Sequence, residues 1–170
     1  MTVTFIGMPG AGKTCMGKAM ARKLGMKLID GDRLIEEVTG KKLHEIISEL
    51  GTEGFKKIEE EVLLSINEDN VIISPGGSAI YYDSVMQHFK KSGVIVYLYV
   101  GLRNIVERLG DYSKRGIVLA EGQTIEDLYK ERAPLMEKYA DITLNCNGTA
   151  YARYQEDLKG ILEERKRAWK

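Results

Sequence analysis

The chain has 170 residues, 44% of them hydrophobic, which suits one domain with a full apolar core and excludes a disordered polymer. Its 25 basic residues balance 25 acidic ones, so it lacks the basic surplus that general affinity for nucleic acid or an anionic membrane requires. Cys15 and Cys146 form neither a metal-ligand nor a redox spacing, and no charged leader, signal run or long apolar span is present, so the expectation is a cytoplasmic protein.

Met1 to Ile6 reads as a short apolar strand, and Gly7-Met8-Pro9-Gly10-Ala11-Gly12-Lys13-Thr14 follows it directly. This spacing, Gly, four residues, then Gly-Lys-Thr, is that of a P-loop, with a strand before it and a good helix former after it. Glycines let the backbone turn its N–H groups onto phosphate oxygens. Gly7, Gly10, Ala11, Gly12 and Cys15 would surround those oxygens, Lys13 would reach the β- and γ-phosphates, and Thr14 would hold magnesium. The following helix points its positive end at the same place. The cofactors expected are therefore ATP and Mg2+.

Further along, Lys27–Ile29, Val71–Ile73, Val94–Val100 and Ile142–Leu144 are short apolar runs rich in β-branched residues. Helical patterns lie between them at 13–24, 32–66 with breaks near Gly40 and Gly51, 82–90, 102–109, 124–139 and 150–167. Such alternation predicts an α/β fold: a five-stranded parallel sheet covered by helices on both faces, forming a single domain over 1–170. Ligands would bind beyond the carboxyl ends of the strands. Gly110 to Gly122 has no clear periodicity and is a candidate lid, about 110–123. The last helical stretch, with Tyr154, Leu158, Ile161 and Leu162 on one face, reads as a packing helix.

The second strand delivers Asp30-Gly31-Asp32 to the active edge. One carboxylate could hold magnesium through water and the other accept a proton from a substrate hydroxyl, or Asp32 could simply cap the helix after it. After the third strand, Ser74-Pro75-Gly76-Gly77-Ser78 forms a turn with N–H groups free for a ligand. The fourth strand carries no Asp at its end and no Asn-Lys-x-Asp occurs, which argues against common ATPases and GTPases and leaves a small kinase. Its phosphoryl transfer needs cations: Arg108, Lys114, Arg115 and Arg132 are candidates, the last because Pro134 should interrupt its helix near the site edge. His44 and His88 lack partner residues and read as non-catalytic.

Over about residues 4 to 146 the order of motifs resembles the shikimate kinase family. The resemblance rests on Gly7–Thr14, on Asp30-Gly31-Asp32-Arg33-Leu34-Ile35-Glu36 with Thr39-Gly40 and Glu45-Ile46 after it, and on Tyr129-Lys130-Glu131-Arg132-Ala133-Pro134-Leu135. It implies a P-loop kinase fold and transfer from MgATP to the 3-hydroxyl of shikimate. It also implies Asp32 as base, Asp30 near magnesium, Arg132 on the substrate carboxylate, Arg108 along the adenine, and an acceptor-binding helical region at about 32–62.

Three departures touch the acceptor site or lid. The family's Phe-Arg-x-x-Glu is Phe55-Lys56-Lys57-Ile58-Glu59, its third turn glycine is Ser78, and its Arg-Pro-Leu-Leu is Arg115-Gly116-Ile117-Val118. Lys cannot make the planar two-bond grip of Arg on a carboxylate. The expected roles are Lys13, Asp32 and Arg115 in catalysis, with Lys56, Gly76, Gly77 and Arg132 also holding the acceptor. The expected partner is a small-molecule acceptor, shikimate or a similar hydroxy acid, with no nucleic acid or membrane, and the chain is expected to be a monomer. A paralogous kinase for another acid, or a non-catalytic ATP-binding module, are the alternatives; a nucleoside monophosphate kinase would need more lid arginines.

Overall fold

The computed structural model describes residues 1–110 and 119–169. Five strands form one sheet: β1 (Thr2–Ile6), β2 (Lys27–Asp30), β3 (Val71–Ser74), β4 (Gly93–Tyr99) and β5 (Ile142–Asn145). Their spatial order is β2-β3-β1-β4-β5, and every pairing is parallel. β1 thus lies at the centre, with Val3 opposite Ile72 on one side and Val94 on the other. All five of its residues are buried, as expected of a strand covered on both faces.

The helices are α1 (Lys13–Leu24), α2 (Gly31–Thr39), α3 (Leu43–Leu64), α4 (Asp83–Ser92), α5 (Leu102–Leu109), α6 (Ile125–Tyr139) and α7 (Tyr151–Trp169). α1 and α7 pack on each other and on the sheet, burying Met16, Met20, Leu158 and Leu162. α4 and α6 pack on β4 with Val85, Met86, Phe89, Leu128 and Met136. The expected strands and helices are all present within a residue or two, and the expected breaks are real. Gly40 ends α2 at φ 67°, and Gly51 kinks α3 at φ 70°, ψ 178°.

One element is unexpected and one local expectation differs. A short 3-10 turn, Ala79–Tyr81, precedes α4. Pro134 does not interrupt its helix: α6 runs through it. Proline removes one ladder bond, freeing the carbonyl of Lys130, but both residues are exposed and water can satisfy that group. The buried Leu128, Met136 and Tyr139 keep the two halves in line.

A second, smaller apolar cluster stands apart from the main core. Ile35, Ile46 and Val62, with Leu34, Leu43, Phe55 and Ile58 around them, join α2 to α3. Their connection is also tied by Glu36, which accepts from Leu43 N at 3.3 Å and Lys42 Nζ at 2.8 Å. This pair forms one wall of the cleft at the carboxyl ends of β1, β2 and β3.

Candidate active site

Gly10 and Gly12 have φ of 80° and 96°, left-handed values that a side chain would strain. With them the chain turns tightly (Ala11 N to Met8 O, 3.0 Å) and aims the first amides of α1 across the loop. Lys13 folds back over the same turn, Nζ donating to Gly7 O at 2.8 Å and Met8 O at 3.1 Å. Burial, then the nearby charge of Arg132, lower its ammonium to about 8, while Asp32 works in the opposite direction. An anionic ligand here would favour the charged form and raise that value again.

Beside the loop is a cavity of about 600 Å³. Pro9, Lys13 and Thr14 line it from the P-loop, Asp30 from the end of β2, Asp32 from the first turn of α2, and Ser74 to Ser78 from the end of β3 onward. Leu43, His44, Ile47, Phe55 and Glu59 close it from α3, and Arg132 from α6. The helix after β2 begins one residue earlier than the sequence suggests, so Asp30 is its cap: Oδ1 accepts from Arg33 N at 3.2 Å. That leaves the Asp32 carboxylate free to face the cavity. Burial raises its pKa, the negative charges of Asp30, Glu59 and Glu36 add to the rise, and Lys13 opposes it.

Gly76 and Gly77 are where these side chains converge. A Cβ on Gly76 would lie 2.9 Å from Asp32 Oδ1 and 3.1 Å from Glu59 Oε1, and one on Gly77 would lie 2.6 Å from Arg132 Nη1. Only glycine leaves room for that approach. Arg132 is held in turn by Tyr81, whose hydroxyl takes its Nε–H at 3.2 Å and whose ring lies 5.5 Å from the guanidinium carbon.

Arg108 stands outside this cavity, on the other flank of the P-loop beside Gly10. Its Nη2 donates to Cys146 O and Gly148 O, and its guanidinium lies over Tyr151 at 5.9 Å. Cys15 is exposed near the start of α1. Lys56 is not brought to the cavity: it is half-exposed, its Nζ 3.0 Å from Glu53. Phe55 and Glu59, four residues apart, share the cavity-facing side of α3, and Lys56 is turned about 100° from Phe55. Arg115 and most of the expected lid lie at 111–118, outside the described residues.

The family model for shikimate kinase matches residues 9–164. This chain belongs to the shikimate kinase family. The shikimate kinase of Thermodesulfovibrio yellowstonii is 37% identical over 149 residues, 86% of each chain. That of Francisella tularensis subsp. novicida is 31% identical and matches 95% of this chain and 94% of its own. Among solved structures, the Acinetobacter baumannii shikimate kinase in complex with shikimate has a TM-score of 0.83 at 31% identity, covering 96% of this chain and 93% of that one. The P-loop kinase fold expected from the sequence is therefore present.

Sequence reasoning gave no site role to Glu59, Tyr81, Tyr82 or His44. Glu59 had a usable signal, since a helix repeat of four sets it on the same side as Phe55. The two tyrosines had none: Tyr81 ends a 3-10 turn that no periodicity predicts, and Tyr82 follows it directly.

Proposed function

We propose that the chain transfers the γ-phosphoryl group of ATP to the 3-hydroxyl of shikimate, the acid named in the structure of the Acinetobacter relative. The observation that carries this reading is the convergence of Asp32 and Arg132 on the Gly76–Gly77 turn, within one cavity with Lys13 and Thr14. Lys13 and the loop amides hold the β- and γ-phosphates. Asp32 orients the attacking hydroxyl and takes its proton, helped by a pKa raised toward the working range. Arg132 grips the acceptor carboxylate with its planar fork. The amides of Gly76 and Gly77 meet the ring hydroxyls, and Arg108 flanks the adenine.

Magnesium fits this donor set. Among the described residues no group of three or more His, Cys, Asp or Glu forms a protein cage. The ion in phosphoryl transfer takes few protein ligands and keeps its waters, and the Thr14 hydroxyl with the uncapped oxygen of Asp30 suits that need. When bound it would neutralise charge on the phosphates. We infer further a single kinase domain over 1–170, acting as a cytoplasmic monomer, with Arg115 arriving from the 110–123 lid. No helix of the described residues is long and apolar enough to cross a membrane.

The test is ADP release with MgATP, with and without shikimate, beside a panel of other hydroxy acids. Stimulation by shikimate alone is expected. Stimulation by another acid instead would make the chain a paralogous kinase, and ATP binding with no stimulation would make it a binding module.

A further inference from the structure

Glu59 is a carboxylate at 1% exposure, yet it lies on a helix wall of an open cavity. A buried carboxylate needs donors, and charges of opposite sign are the usual ones. Here the donors are hydroxyls. Ser78 Oγ donates to Glu59 at 2.7 Å from Oε1 and 2.8 Å from Oε2, and Tyr82 OH donates to Oε2 at 2.6 Å. Lys56, three residues earlier on the same helix, pairs with Glu53 instead.

Both hydroxyls come from the segment that follows the Gly76–Gly77 turn. The contacts therefore bridge α3 to the far end of that turn, 19 and 23 residues away in sequence. On the near end, a Cβ position on Gly76 lies 3.1 Å from Glu59 Oε1. Glu59 thus lies against the turn on both sides of Gly77. Tyr82 is a durable donor: burial first, and the contact with Glu59 second, push its phenol far above the ordinary range. Loss of the Ser78 hydroxyl would leave a buried carboxylate oxygen short of a donor and free the carboxylate to swing toward Gly76 and Asp32.

We propose that Ser78, with Tyr82, is a positioning residue for the acceptor: its hydroxyl holds Glu59 and so fixes the Gly76–Gly77 amides against α3. This rests on the kinase reading above, and it assigns part of the acceptor's affinity to a hydroxyl that never meets the acceptor.

The experiment is a double-mutant cycle on Ser78→Ala and Glu59→Gln, with Ser78→Thr as the conservative variant and the acceptor that the wild type turns over as substrate. Each single change should raise acceptor KM by about tenfold, and the double variant should do no worse than the poorer single, near tenfold and not a hundredfold. KM for ATP should stay within about twofold, and S78T should stay near wild type, since it keeps the donor. Wild-type acceptor KM in S78A would overturn the proposal. So would effects that multiply in the double variant, or an ATP KM that rises in step, because a merely structural role predicts both. Should Glu59→Gln fail to fold, the contrast between S78A and S78T decides alone. A wild type that turns over no acceptor would sink the kinase reading and this one together, whereas an active wild type with indifferent variants sinks only this one.

Discussion

The two halves of the cleft are built by different means. The phosphate-binding part of the proposed nucleotide half is consecutive chain: Gly10 to Thr14, set by two left-handed glycines and the start of one helix. Its donors are mainly main-chain N–H groups, which no substitution of a neighbouring side chain removes. The acceptor half draws Asp32 from α2, Glu59 from α3, Gly76 to Ser78 from the turn after β3, and Arg132 from α6. Its geometry depends on tertiary contacts, chiefly the small cluster of Ile35, Ile46 and Val62 and the grip of Tyr81 on Arg132. The first half is a local structure and the second an assembly. Side-chain changes should therefore separate the two ligands cleanly, with acceptor binding altered piece by piece while ATP binding persists.

The largest expected effect is at Asp32. Replacing it with Ala should cut phosphoryl transfer by about 10²–10⁴-fold, the range for a lost general base. ATP affinity, followed by direct titration, should remain within a few-fold of wild type. An Asp32→Ala variant that loses ATP binding as well would mean that the two halves are not separable. Next is Arg132→Ala, which removes a charge-assisted contact and should raise acceptor KM roughly tenfold to a hundredfold with little change for ATP. Gly77→Ala approaches the same result by another route, because its Cβ would meet Arg132 Nη1 at 2.6 Å and push the guanidinium off its place.

Smaller effects come from pH, and each half has its own. On the acceptor side Asp32, as the proposed base, must be ionised to take a proton. Its pKa in the free protein is raised by burial, then by Asp30, Glu59 and Glu36 against the opposing Lys13, so the acid limb of kcat/KM, which reports the free protein, should lie above that of an ordinary aspartate. Glu59→Gln removes one raising charge and should move the limb to lower pH. On the nucleotide side Lys13 is lowered to about 8 in the free protein. Above that pH the free protein has lost the proton, while the phosphates favour the charged form, so binding must take a proton up. Calorimetric titration of ATP at pH 9 in buffers of different ionisation heat should show uptake, and the same experiment at pH 7 should show little. Equal proton uptake at both values would remove Lys13 as the titrating group.

The same contrast explains what could be read from the sequence. A P-loop is legible because everything it needs is consecutive: strand, glycines, Lys13, Thr14, helix. The sheet is legible because buried parallel strands are short β-branched runs between helical periods. Asp32 is ambiguous between cap and base in the sequence; the start of α2 at Gly31 gives the cap to Asp30 and leaves Asp32 lining the cavity. Pro134 misled because a proline's cost depends on whether water reaches the freed carbonyl, which only burial reveals. The pairing of Glu59 with Ser78 and Tyr82 has no local signature, since helix, turn and 3-10 segment must first pack before the three atoms meet.

Lys56 is the sharpest case, and its expected effect is the smallest. By family position it should hold the acceptor carboxylate. A lysine there has about the reach of an arginine but offers a compact charge without a fork. Its helical phase turns it from the face shared by Phe55 and Glu59, and Glu53, one turn earlier, captures it at 3.0 Å. That ion pair is exposed, and exposed pairs at this spacing contribute at most a few tenths of a kcal/mol. Lys56→Ala should then change acceptor KM by less than about twofold and leave the melting temperature nearly unmoved. Lys56→Arg is the informative partner experiment. A planar fork of similar reach on the same face gains little if the helix phase decides, and lowers acceptor KM clearly if charge shape decides. A tenfold rise in KM for Lys56→Ala would mean that Lys56 leaves Glu53 when the acceptor binds. The acceptor half would then be completed by its ligand, and the contrast with the ready-made nucleotide half would be larger still.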